Sequence, residues 1–311
     1  MAATRAIAFP EENLVLYAFL VEKQRRSGSL RTVQGYSSML EDFFGRVGKA
    51  PDKVTVQEVF MWAHGQGVSG KDPSPVTIGA RMACLSSFFR FLQRMDIVAS
   101  NPCDKLERPR ASTPPARGLS AAEVRRLLAV IPDTPQGLRD RAIVLTLVLT
   151  GRRRAEVFRM TAGYLSFQNG VCFYAYRGKG GKTGRRELPR PALDALRTAL
   201  AAYGRELEHM SPGDSLWPSP CATDGQGLRS ATFYGRFRRY LAKAELPPAG
   251  LHILRHSAAK LRRDAGESIE DVSRFLDHSS LAVTTTYLRR LEGQEDTSWG
   301  KVAEAIGIQL L

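Results

Sequence analysis

The chain has no apolar run long enough to cross a bilayer: the longest, Ala142 to Leu149, falls far short of the roughly 20 residues a spanning helix needs. No contact with a membrane is therefore expected. The N-terminus, MAATRAIAFPEENLV, has neither the apolar core nor the cleavage site of a secretory signal, so a cytoplasmic location is expected. Cysteine is scarce, and Cys84, Cys103, Cys172 and Cys221 stand far apart with no CxxC pair. That argues against a zinc site and against a disulfide framework, and leaves reduced, structural thiols. Internal repeats and low-complexity segments are also missing. Acidic residues fall short of basic ones, 31 Asp+Glu against 45 Lys+Arg, for a net charge of +14. A polyanion is the natural partner, because every phosphate neutralised releases condensed counterions. A ribosomal or membrane-surface protein, or a merely arginine-rich one, would show the same balance.

With 311 residues and 43% hydrophobic content, the chain can build two ordinary cores. The clearest boundary is ERPRASTPPARG, Glu107 to Gly118, where prolines and small polar residues interrupt two well-patterned regions. Before it, four helices are expected. The first runs from about Glu11 to Gln24, and the second opens at Ser29 with Val33, Tyr36, Leu40 and Phe44 along one face. The third starts with Thr55 and Glu58 spaced as a capping box, and the fourth with Ser74-Pro75, a cap followed by the one helical position proline tolerates. Arg25, Arg26, Arg31, Thr32 and Arg81 fall near helix starts or on polar faces, where they could hold phosphates or simply be solvated.

After the boundary, Leu119-Ser120-Ala121-Ala122-Glu123 is a second capping box with a hydrophobic residue ahead of it, so a new domain starts there. Leu138 to Leu149 reads as a buried helix stopped at Thr150-Gly151. Val171 to Tyr176 has strand chemistry, and GKGGKTG followed by RRELP reads as a β-turn and a returning strand. Further helices are expected at about Arg190–Leu207, Ser230–Lys243, Leu251–Ala265, Ser268–Leu276 and Ser280–Arg290.

Four stretches carry the chemistry: TGRRRAEV (Thr150 to Val157), RGKGGKTG (Arg177 to Gly184), LHILRHSAAKLRRDAG (Leu251 to Gly266) and LDHSSLAVTTTYL (Leu276 to Leu288). Together they resemble the signature of the tyrosine recombinase (phage integrase) family. Its Thr-Gly-x-Arg-x-x-Glu motif places a catalytic arginine at Arg153 and its acidic companion at Glu156. Its β-turn lysine is Lys179, with Lys182 beside it as a DNA contact. His-x-x-Arg-His gives His252 and Arg255, and the last stretch gives His278, with the nucleophile Tyr287 nine residues later. Three departures stand out. Arg152 and Arg154 flank the catalytic arginine where apolar residues are usual, Asp277 replaces the usual glycine before His278, which is expected to tighten or reorient that turn, and His256 suits packing better than catalysis.

The residue types suit the reaction the resemblance implies. A tyrosine that attacks a phosphodiester must shed a proton it normally holds to a pKa of about 10, while negative charge builds on the phosphate. Arg153 and Arg255 suit a bidentate clamp on the nonbridging oxygens, Lys179 suits protonating the leaving 5′-oxygen, and His252 and His278 suit hydrogen bonding. Three apart on one helix, His252 and Arg255 share a face. No metal and no other cofactor is called for, since arginines answer the charge. Singly the residues are weak: Tyr287 alone reads as a core aromatic and Arg152-Arg153-Arg154 as a solvated basic run. His252 and His256 are spaced like a zinc pair but lack the glutamate of a metalloprotease helix, and GKGGK lacks the ending of a P-loop.

The resemblance implies a mainly α fold with a small β-sheet (α+β) and two domains forming a C-shaped DNA clamp. Residues 1–106 would be the helical core-binding (SAM-like) domain, 107–118 the linker carrying Arg108 and Arg110 along the DNA, and 119–290 the catalytic domain. In the tail, 291–311, Trp299, Val302, Ile306 and Leu310 recur at helical spacing, which fits a helix docked on a neighbouring protomer or folded back in cis. The implied partners are double-stranded DNA bearing a specific recombination site and three further protomers of a homotetramer. A DNA-relaxing topoisomerase and a noncatalytic DNA-binding protein are the competing readings.

Overall fold

The computed structural model describes residues 10–67, 70–109, 117–177, 183–219 and 227–277. The chain divides into two compact units, Met1–Thr113 and Pro114–Leu311. The fold is mostly helical with one three-stranded antiparallel sheet.

In the first unit, α1 (Pro10–Ser27) and α2 (Leu30–Val47) are joined by a tight turn in which Ser29 caps α2 by accepting the Thr32 N–H. Thr55 and Glu58 close the expected capping box on α3 (Val56–His64), and Ser74 caps α4 (Pro75–Arg94) with Pro75 at its first position. Each cap satisfies backbone donors that a helix start leaves open, which fixes where the helices begin. Phe19, Leu40, Phe43, Val59, Leu85 and Phe89 fill the centre. Side chains of this size each gain about 1.5–3 kcal/mol on leaving water, so the aromatic packing carries the unit.

In the second unit, Ser120 and Glu123 close the capping box on α5 (Ala121–Ala129). The helix α6 (Pro135–Thr150) is the buried axis, mostly apolar from Ala142 on, and ends where Gly151 turns left-handed at φ 59°. A four-residue helix, α7 (Arg154–Val157), follows directly. The strand β2 (Val171–Arg177) pairs on one side with β3 (Thr183–Glu187), bracketing the 178–182 connection. On its other side lies β1 (Leu165–Gln168), which was not expected, with Gln168 opposite Val171.

The helix α8 (Arg190–Ala201) stops short of the expected Leu207. Gly204 turns to φ 66°, and the Arg205 N–H reaches back to the Leu200 carbonyl at 3.0 Å, closing the helix end before the apolar pattern runs out. The last described helices are α9 (Ser230–Lys243), α10 (His252–Asp264) and α11 (Ile269–Leu276). Asp140 on α6 is fully buried and accepts from Arg236 Nε and Nη2, at 2.6 and 3.0 Å, and from the Tyr240 hydroxyl at 3.0 Å. That network locks α9 onto α6. Cys84, Cys103 and Cys172 are buried free thiols. Cys221, the expected helix at Ser280–Arg290 and the 291–311 tail lie outside the described residues. No described helix is long and apolar enough to cross a membrane.

Candidate active site

The end of α6 sets the first of the expected site residues, Arg153. Gly151 adopts the left-handed conformation that a side chain would strain, and the chain leaves it extended through Arg153 before turning into α7. The Glu156 carboxylate accepts the Arg153 backbone N–H at 3.1 Å and the Arg153 Nη1 at 3.0 Å. The acidic companion thus caps the helix and aims the guanidinium together, and Arg153 keeps about a third of its side chain exposed (34%). Arg154 is half-buried behind it.

Arg255 comes to the same place from the second turn of α10. It is buried, with Nη1 donating to the Gly151 carbonyl at 2.6 Å and Nη2 to the Leu276 carbonyl at 2.7 Å. A guanidinium has five N–H donors; those two bonds leave three uncommitted among the described residues. His252 is the exposed first residue of α10, its ring edge-on to that of His256 at 4.6 Å between centroids.

The electrostatics mark this as a cation-rich site. Burial first, then the charges of Arg153 and Arg152, push the Arg255 pKa down to about 10. Protein atoms crowding the His252 ring, then Arg255, Arg153 and Arg154, lower the histidine pKa below its ordinary value. Burial is the larger cause in both, and the neighbouring guanidiniums, only partly offset by Glu156 and Asp277, add an imbalance of positive charge. An incoming anion would relieve that imbalance.

Arg152 is distinct from its neighbours and is not part of a solvated basic run. Only 1% of its side chain is exposed, and its guanidinium pairs with the Asp277 carboxylate, donates to the Phe275 carbonyl and lies 4.3 Å from the Tyr176 ring centroid. Asp277 ends α11 at φ 51°, in the left-handed region that aspartate tolerates better than most side chains. Its second oxygen accepts from Arg186 Nη2 at 2.7 Å, and the same nitrogen reaches the Arg274 carbonyl at 2.6 Å. The sequence reading missed Arg186. The alternating exposure of β3 puts residue 186 on its inward side, a period-2 signal that TGRRE already carries.

Lys179, Lys182, His278 and Tyr287 lie outside the described residues, as does Arg110. Of the expected DNA contacts, Arg25, Arg31 and Arg108 are exposed, Arg26 is exposed with a 3.4 Å pairing to Glu22, and Thr32 is half-buried in the first turn of α2. Arg81 has another task. Half-buried against Trp62, its Nη1 donates to the carbonyls of Trp62, Ala63 and Gly65 at 3.0, 3.1 and 2.7 Å, so it caps the end of α3. Among the described residues, no group of three His, Cys, Asp or Glu side chains is placed to hold a metal.

Comparison with known proteins adds to the geometry. The model of the phage integrase family matches residues 117–293. The chain is similar to the tyrosine recombinase XerD of Vibrio cholerae, 28% identical over 235 residues that cover 75% of this chain and 74% of the relative. It is also similar to XerC of Alcanivorax borkumensis, 29% identical over 269 residues and covering 83% of each. Among solved structures, the fold resembles XerH recombinase bound to its palindromic difH substrate after cleavage, at a TM-score of 0.67 and 20% identity, over 94% of this chain and 83% of that one. A lambda integrase dimer bound to a COC′ core site is matched at a TM-score of 0.67 and 18% identity, over 92% and 98%.

Proposed function

We propose, from the premise that the chain belongs to the phage integrase family of tyrosine recombinases, which cut and rejoin DNA, that it recombines DNA at a specific site through Tyr287. The observation that carries this is the convergence of two guanidiniums, Arg153 and Arg255, beside the His252 imidazole, with three of the five Arg255 N–H donors uncommitted among the described residues. Such a site favours a scissile phosphate, and more so the extra charge that phosphate acquires in the transition state.

The Tyr287 oxygen, releasing its phenolic proton to water, attacks phosphorus, forming a 3′-phosphotyrosyl bond as the bond to the 5′-oxygen breaks. Lys179 supplies the proton that leaves with the 5′-hydroxyl. Arg153 and Arg255 bind the nonbridging oxygens, and His252 and His278 hydrogen-bond to them; each such preorganised donor is commonly worth about 3 kcal/mol of barrier. The freed 5′-hydroxyl of a second duplex reverses the step, so the energy of the broken ester is retained. Two rounds within a tetramer on two sites pass through a Holliday junction. The 1–106 and 119–290 domains both bind the duplex, Arg108 and Arg110 of the linker contact it, and the 291–311 tail docks on the next protomer.

The test is a nicked duplex carrying the site, incubated with the protein and resolved under denaturing conditions. A covalent adduct is expected with the natural chain and none with Tyr287→Phe. An adduct that survives that substitution overturns the nucleophile, and relaxation of plasmids lacking any site replaces recombination with a topoisomerase reaction.

A further inference from the structure

Two of the chain's departures from the family motif meet in space. Arg152 and Asp277 are separated by 125 positions yet form an ion pair, and each sits one residue ahead of a motif residue, Arg153 and His278. Beneath them, Arg255 binds the carbonyls of the preceding residues, Gly151 and Leu276. The end of α6 and the end of α11 are therefore stitched together twice in adjacent layers. The other Asp277 oxygen takes Arg186 from β3 at 2.7 Å, and β3 with β2 frames the 178–182 connection that contains Lys179.

We propose that Asp277 is a positioning residue for strand cleavage: its carboxylate, held between Arg152 and Arg186, locks together the three segments that carry Arg153, Lys179 and His278. The inference rests on the recombinase reading above and adds how this chain aligns its parts. Charge and rigidity support it. Arg152 is almost fully buried, so its guanidinium needs a carboxylate, and the Tyr176 ring fixes its plane from below. Burial opposes ionisation of Asp277, but hydrogen bonds from Arg152 and Tyr176 and the charges of Arg152 and Arg186 outweigh it and hold the carboxyl below the usual range. A glycine at 277 would accept the left-handed turn with less strain, so the aspartate is explained by its carboxylate and not by its backbone.

The test uses Asp277→Asn and Asp277→Gly in the full chain, both compatible with the left-handed turn. Cleavage of the nicked duplex is followed in single turnover at saturating protein, beside DNA affinity and the melting midpoint. The cleavage rate of both variants is expected to fall about 10- to 100-fold, as a small misplacement of reacting groups does, while the protein concentration that half-saturates the DNA stays unchanged. Arg152→Met combined with Asp277→Gly is expected to cost no more than the worse single change, because the two share the Arg152–Asp277 pair. Should Asp277→Gly not fold, Arg186→Gln removes the other partner from a half-exposed position and must reproduce the rate loss. Wild-type cleavage rates in the Asp277 variants, or losses that multiply in the double variant, overturn this inference alone. A wild-type chain that makes no Tyr287-dependent adduct overturns the recombinase reading and this inference with it.

Discussion

The guanidinium of Arg255 donates to the Gly151 carbonyl across 2.6 Å, so a residue assigned to the phosphate also holds the turn that presents Arg153. Binding and scaffolding are fused in one side chain. Arg255→Lys keeps a positive charge but cannot span the carbonyls of Gly151 and Leu276 together. One buried carbonyl then loses its donor, at a cost of about 1–3 kcal/mol. The lysine variant is expected to lose both thermal stability and cleavage, read by calorimetry and by adduct formation; wild-type stability in that variant would show that the carbonyl bonds are dispensable.

Gly151 is constrained twice over. It sits at φ 59°, and a Cβ there would stand 2.5 Å from the Phe275 ring and 2.9 Å from Leu276. Gly151→Ala should destabilise the chain by about 2–5 kcal/mol, the sum of left-handed strain and overpacking. Gly235, inside α9, has open space where its Cβ would be. There, Gly→Ala should instead stabilise by about 0.4–1 kcal/mol through the unfolded chain. Urea denaturation of both variants checks the opposite signs.

His252 should titrate at lower pH than a free histidine, since crowding protein atoms and then the charges of Arg255, Arg153 and Arg154 disfavour its imidazolium. Removing one of those charges with Arg153→Gln moves the titration upward, which imidazole proton NMR can follow. The depressed folded value also sets a pH dependence. As pH falls below the ordinary histidine range the unfolded chain takes up the proton first, so the neutral ring's contribution to stability wanes until the folded value is passed. An unshifted His252 that ignores Arg153→Gln would remove the electrostatic account of the site.

The two classes of arginine in the first unit should separate in DNA binding. Arg31 is exposed at the start of α2. If it contacts phosphate, Arg31→Ala weakens binding evenly across sequences and lowers the slope of log K against log salt by about 1. Arg81→Ala strips the donor from three carbonyls at the end of α3 and should show first as lost stability. Salt titrations of affinity and melting curves distinguish the two; a full unit of slope lost with Arg81→Ala would return that residue to the phosphate-contacting set.

Much of the fold was legible because its signals are local. The caps at Thr55 and Ser120 lie where the sequence puts them, since a hydroxyl and a carboxylate three residues apart satisfy the same backbone donors in any context, and Ser74 does so with its hydroxyl ahead of Pro75. The strand β1 was missed although Asn169-Gly170, both at positive φ (50° and 78°), is a strong hairpin sign. Its four residues are mostly exposed and too short to show alternation. The overlong expectation for α8 has the opposite cause: the apolar period continued past a glycine that ends the helix.

By itself the sequence determined the family and the mainly helical α+β composition, and it singled out Arg153, Glu156, His252 and Arg255 as the expected site residues, because spacing along the chain carries that information. Only the tertiary structure decided what the flanking residues do. Arg152 and Arg153 are chemically identical neighbours, yet one is buried against Asp277 and Tyr176 and the other is held open by Glu156. Asp277 looked like a local change in a turn and is instead the meeting point of α6, β3 and α11. The reason is physical: caps and turns are settled within a few residues, whereas a buried charge takes its meaning from partners that folding alone brings within reach.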